Sequence, residues 1–117
     1  MEDAVPSATA RRVAMRRAAH QLFDTPRILD DPLALRILGS ETAAAIHADA
    51  DDREATPFAR ALRAFFAARS RFAEDEVARS IGHGVRQYVV LGAGLDTFAY
   101  RNPFAALRVF EVDHPAT

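Results

Sequence analysis

Apolar residues along the chain recur first at helical spacing and then in two short continuous runs. Over residues 7–23, Val13, Ala14, Ala18 and Leu22 share one stripe, which at 3.6 residues per turn is the inner side of an amphipathic helix. Asp31 followed by Pro32 has the cap-then-proline form of a helix start, with Gly39 as its stop. Ser40 and Glu41 open another short helix, and residues 49–56 are charged and polar, as in a solvated loop. Thr56-Pro57 repeats the start signal ahead of a long helix over 57–80. Its apolar stripe reads as Phe58, Leu62, Phe65, Phe66 and Phe72. Gly82 and Gly84 end it, and the pattern changes. Gln87, Tyr88, Val89, Val90 and Leu91 form a short buried run of strand type. A glycine loop follows, Gly92-Ala93-Gly94, then a helical turn over 96–100, a break at Asn102-Pro103 and a second strand over 107–112.

Helices followed by strand, glycine turn, helix and strand predict the opening of an α/β sheet built by crossover connections. A sheet usually holds about five or six strands, and two leave open edges. The chain therefore reads as the truncated beginning of a fold, dependent on further chain or on a complementing polypeptide.

Composition narrows the picture modestly. With 117 residues there is room for one domain. Half of the residues are hydrophobic and 26% charged, ordinary for a globular protein. A formal charge of −1 gives no reason to expect nucleic acid or a membrane surface as partner, and no apolar run reaches the roughly 18 residues of a membrane helix. All 15 basic residues are arginine and there is no cysteine. Disulfides, thiolate nucleophiles and cysteine zinc sites are excluded, which fits a cytoplasmic location. Residues 7–23 are arginine-rich and superficially like a transit peptide. The acidic Glu2 and Asp3 and the helical stripe favour a soluble helix instead. His20, His47, His83 and His114 lack metal-ligand spacing, so no metal is expected.

The chemistry concentrates in Gly92, Gly94, Asp96 and Thr97, followed by Glu111 and Asp113. Glycines after a first strand let the backbone turn sharply and approach a ligand without a Cβ in the way. An acid at the end of the next strand can accept the hydroxyls of a ribose, and Asp113 lies 19 positions beyond Gly94, near the roughly 20 this task uses. Glu111 competes on the same side of the strand, but Asp113 sits at the carboxyl end, where open sheets hold ligands. A dinucleotide site wants a third glycine where Thr97 stands, and it places its pyrophosphate on a helix N-terminus that Asp96 here makes acidic. S-adenosylmethionine carries a sulfonium and an ammonium and no phosphate, so the acid favours it over a dinucleotide. An oxidoreductase fragment using a nucleotide, and a glycine turn that binds nothing, stay open as weaker alternatives. On the long helix, Arg69 emerges from the apolar stripe and needs a partner, because a buried lone charge is costly. A ligand carboxylate, a structural salt bridge and snorkelling at the stripe's edge are the candidates. Arg17 borders the first helix's apolar face in a similar way.

Five stretches together resemble the leucine carboxyl methyltransferase family, and within it the bacterial branch of S-adenosyl-L-methionine-dependent methyltransferases. They are Thr9-Ala10-Arg11 with Arg17-Ala18, Asp30-Asp31-Pro32-Leu33-Ala34, Ala68-Arg69-Ser70-Arg71-Phe72, Val90-Leu91-Gly92-Ala93-Gly94-Leu95-Asp96-Thr97, and Phe110-Glu111-Val112-Asp113-His114-Pro115. The resemblance implies a class I methyltransferase fold, Rossmann-like, with residues 1–80 as a helical cap and 81–117 as the start of the cofactor domain. By position it implies that Arg69 binds the methionine carboxylate, that Gly92 and Gly94 line the cofactor loop, and that Asp113 holds the ribose. Arg17 is a further cofactor contact on the same basis. The implied reaction is methyl transfer to an oxygen of a small molecule, a carboxylate or a hydroxyl. Phe98 stands where this branch often has arginine, and members of the family are typically about twice as long or more.

Overall fold

The computed structural model describes residues 7–49 and 53–117. Glu2, Asp3 and the middle of the 49–56 loop lie outside the described residues. Helix α1 spans Ala8–Phe23, and its N-cap Ser7 accepts a hydrogen bond from Ala10 N. Helix α2 covers Ser40–Ala48, and the 25-residue α3 covers Pro57–Ile81. The Thr56 side chain caps Ala59 N, and Pro57 takes the first turn, where its missing amide has no intrahelical partner to lose. Strand β1 is Gln87–Leu91, α4 is the single turn Phe98–Arg101, and β2 is Arg108–Val112. The strands pair in parallel, from Gln87 opposite Arg108 to Leu91 opposite Val112. The described residues form an α/β arrangement of four α-helices and a two-stranded parallel sheet.

Two expectations are corrected here. Residues 32–38 do not form an α-helix. They make a turn and one 3-10 turn, Arg36–Leu38. Asp31 does cap Leu33 N, but its other oxygen is drawn to Thr97 across the molecule, so tertiary contacts set this segment's shape. The inner face of α3 is also rotated from the phenylalanine stripe. Phe58, Phe65 and Phe72 are 72%, 58% and 70% exposed. The buried row is Ala59, Arg63, Ala67 and Val77. Its first three members recur every fourth residue, so they share one side of α3, the helix that packs against α1.

Arg63 can sit in that row because its charge is fully partnered. It meets Asp24 through two bonds of 3.0 Å and Glu54 Oε2 at 2.9 Å, and it lies over the Phe23 ring at 5.9 Å. One core cluster gathers Ala14, Ala18, Ala19, Ala34, Leu38 and Ile46, with Leu95 of the glycine loop packed against it. A second joins Val77 of α3 to Phe98 and Leu107 beside the sheet. The helical segment therefore grips the loop that follows β1. No helix among the described residues is long and apolar enough to cross a membrane.

Candidate functional site

After Leu91 the backbone turns through Gly92 and Gly94, at φ 64° and 56°. An L side chain pays about 1–2 kcal/mol for that left-handed conformation. The Gly92 amide donates to the Val112 carbonyl at 2.7 Å, which joins the loop to the end of β2 and brings Asp113 beside it. Asp113 Oδ2 accepts from Gly94 N and Oδ1 from His114 N. These two amides, Gly94 foremost, hold the Asp113 carboxyl below its ordinary range. A carboxylate has about four lone-pair directions, so each oxygen keeps one to offer a ligand hydroxyl. Helix α1 passes over the same loop: a Cβ on Gly94 would lie 3.1 Å from Ala10 Cβ.

The corner beyond the glycines is acidic and already satisfied. Asp96 Oδ1 accepts from Thr97 N at 2.9 Å, at the start of α4, so a ligand anion there would meet a carboxylate in place of a free amide. Arg17 is buried and donates from Nη2 to the Leu95 carbonyl at 2.8 Å. Burial lowers its pKa while Asp96 and Asp31 pull it back, and a guanidinium stays charged throughout.

These groups line one cleft of about 520 Å³, which includes Gly92, Gly94, Asp113 and Arg69, within the range of small-ligand sites. The structure brings together all four residues singled out from the sequence. Its charged lining comprises the guanidiniums of Arg17 and Arg69 and the carboxylates of Glu74, Asp96 and Asp113. Such a mixture suits a ligand that carries both an anionic and a cationic group.

The reason given for Arg69 needs correcting. Arg69 is exposed and makes no ion pair among the described residues, so no burial cost demands a partner for it. The buried arginine of this helix is Arg63. Glu111 stands opposite Val90 and does not line the cleft. Its carboxyl is raised by burial and then by Asp96. Sequence reading missed Glu74 and Tyr88, which also line the cleft. Tyr88 alternates inward on β1 with Val90, a period-two signal that was there to use. Glu74 carried no local signal, because its place is fixed by Arg101, 27 residues away.

A sequence model of the leucine carboxyl methyltransferase family matches residues 10–117. The chain belongs to the leucine carboxyl methyltransferase family. Among relatives in this family's range, a Bacillus subtilis protein named "Putative S-adenosyl-L-methionine-dependent methyltransferase YktD" is 33% identical over 132 residues, covering 95% of this chain and 43% of the relative. A Mycobacteroides abscessus protein of the same name without the suffix is 39% identical, covering 92% of this chain and 35% of its own length. One from Saccharopolyspora erythraea is 36% identical, with 92% and 37% covered. The chain thus spans less than half the length of these family relatives.

Proposed function

We propose that this chain holds S-adenosyl-L-methionine in the cleft between α1, α3 and the glycine loop, and serves methyl transfer to an oxygen of a small molecule, a carboxylate or a hydroxyl. The observation that carries the reading is the coincidence of Gly92, Gly94, Asp113 and Arg69 in one cleft whose helix start is taken by Asp96. The residues fit the group: open space above Gly92 lets an adenosine lie against the backbone, and Asp113 keeps lone pairs for ribose hydroxyls. Arg69 offers a two-pronged donor for the methionine carboxylate. Glu74, Asp96 and Asp113 together favour a cationic ligand over a diphosphate.

When bound, the donor supplies a methyl group made electrophilic by its sulfonium. The residues here contribute binding, orientation and exclusion of water, which suffice for much of the rate when the nucleophile is already good. Residues 1–80 act as the helical cap and 81–117 as the beginning of the cofactor domain. The apolar sheet face of Val89, Leu91, Phe110 and Val112, exposed among the described residues, is where further strands or helices, in cis or from a complementing chain, would pack.

Isothermal calorimetry of the chain with S-adenosyl-L-methionine and, separately, NAD tests the reading. Binding of the methyl donor that weakens at least ten-fold in Asp113→Ala and in Arg69→Ala supports it. Heat with NAD alone overturns it.

A further inference from the structure

Beneath the cleft lies a polar cluster whose centre, Asp31, Thr97 and Arg101, does not line it. The Asp31 side chain is wholly buried and Thr97 is 1% exposed. Thr97 Oγ1 donates to Asp31 Oδ2 at 2.6 Å and accepts from Arg101 Nε at 2.9 Å. Arg101 Nε also lies 3.2 Å from Asp31 Oδ1, which accepts from Leu33 N at 3.0 Å. The two remaining nitrogens of Arg101 grip Glu74 at 2.6 and 2.7 Å. Asp31 itself is anchored to α1, its amide donating to Gln21 Oε1 at 3.1 Å.

We propose that Asp31 is a positioning residue that fixes the Leu95–Asp96–Thr97 corner of the cleft, and so sets ligand affinity without lining the site. The inference rests on the reading above for the identity of the ligand, but not for the order of the loop. Thr97 Oγ1 is held as donor and as acceptor at once, which a hydroxyl does through a single atom. Its amide is capped by Asp96, and the preceding Leu95 carbonyl is held by Arg17. Leu95 and Asp96 of the cleft wall are thereby tied down, Leu95 to α1 through Arg17 and Asp96 to Asp31 through Thr97. The same cluster reaches Glu74, a carboxylate of the cleft lining, so the placement of that charge also depends on Arg101 and through it on Asp31.

Asp31→Asn preserves volume and breaks the chemistry. With its NH2 group at the Oδ1 position, the amide would face two donors, Leu33 N and Arg101 Nε. At the Oδ2 position it would face the Thr97 hydroxyl with a proton of its own. Neither orientation restores the cluster, and an unmet buried donor is expensive.

Amide hydrogen exchange of the ligand-free chain, read residue by residue by NMR, gives the test. Faster exchange at Gly94–Phe98 in Asp31→Asn and in Thr97→Val, with wild-type rates in Thr97→Ser, is the expected result. S-adenosyl-L-methionine should bind the first two variants roughly ten-fold more weakly, and Thr97→Ser like wild type. Thr56→Ala, which removes the N-cap of α3 ten residues before its first cleft residue, Phe66, should lower the melting temperature without moving loop exchange or affinity. Loop exchange unchanged in both Asp31→Asn and Thr97→Val overturns the proposal, as does weakened binding that Thr56→Ala reproduces. If wild type ignores the methyl donor while Asp31→Asn still frees the loop amides, the ligand reading falls and the positioning role stands.

Discussion

Replacing Arg63 with methionine probes the joint on which the cleft depends. The guanidinium binds Asp24 and Glu54 between α1 and α3, and it is 2% exposed. Without it, among the described residues Asp24 retains His20 at 2.8 Å and Glu54 retains Arg16 at 3.6 Å. Removing one partner of a fully buried ion pair costs about 3–5 kcal/mol. Asp24 and Glu54 are 24% and 14% exposed, so water recovers part of their hydration, and a loss of about 2–3 kcal/mol is expected. In a domain of this size that lowers the melting temperature by roughly 10–20 °C. Circular dichroism melts and urea titrations of wild type and Arg63→Met measure it. The double variant Arg63→Met/Asp24→Asn should lose less than the two single losses together, since the second change removes the charge the first left unpaired. A loss below about 1 kcal/mol, the worth of an exposed ion pair, or strict additivity in the cycle would refute the claim that this pair clamps α1 to α3.

Other consequences are open to measurement. Gly94→Ala combines a left-handed φ with a Cβ 3.1 Å from Ala10, so it should destabilise by about 2 kcal/mol or more, whereas Gly92→Ala, with open space around it, should cost nearer 1 kcal/mol; denaturant titration separates the two. The Asp24 carboxyl is pushed up by burial, but hydrogen bonds from Arg63 and His20 outweigh this and leave its pKa lowered. A depressed folded-state pKa contributes stability that is present above the unfolded value, near 3.9, and is lost as pH falls through the folded value. Melting temperature should therefore fall on acidification below about pH 4, less steeply in Asp24→Asn. Because Asp113 is likewise held below its ordinary range, affinity for S-adenosyl-L-methionine should persist at pH values where a free aspartate is half protonated; calorimetry across that range checks it.

What the sequence disclosed divides along physical lines. Features written in adjacent residues were legible: the Thr56-Pro57 start of α3, the bounds of β1, and the Gly92–Gly94 turn with Asp113 at the end of the neighbouring strand. The family resemblance added Arg69, which periodicity alone left among three uses. Features decided by distant partners were not legible. Asp31 resembles a local helix cap until Thr97, 66 residues on, claims its second oxygen. The buried face of α3 was misjudged because phenylalanine signals burial more loudly than alanine, although small residues are what allow two helices to approach. Arg63 hid in that face, since a charge on a core row is readable only when its two carboxylates are known. The coupling of Arg101 to Glu74 was hidden for the same reason.

A crystal structure of the chain with S-adenosylhomocysteine, the demethylated product of the donor, tests the central claim most directly. The account predicts ribose hydroxyls on the Asp113 carboxylate, the amino-acid carboxylate at the Arg69 guanidinium, and the nucleoside against Gly92 and Gly94. A nucleoside bound elsewhere, with Asp113 still closed on Gly94 and no contact to sugar, would contradict it.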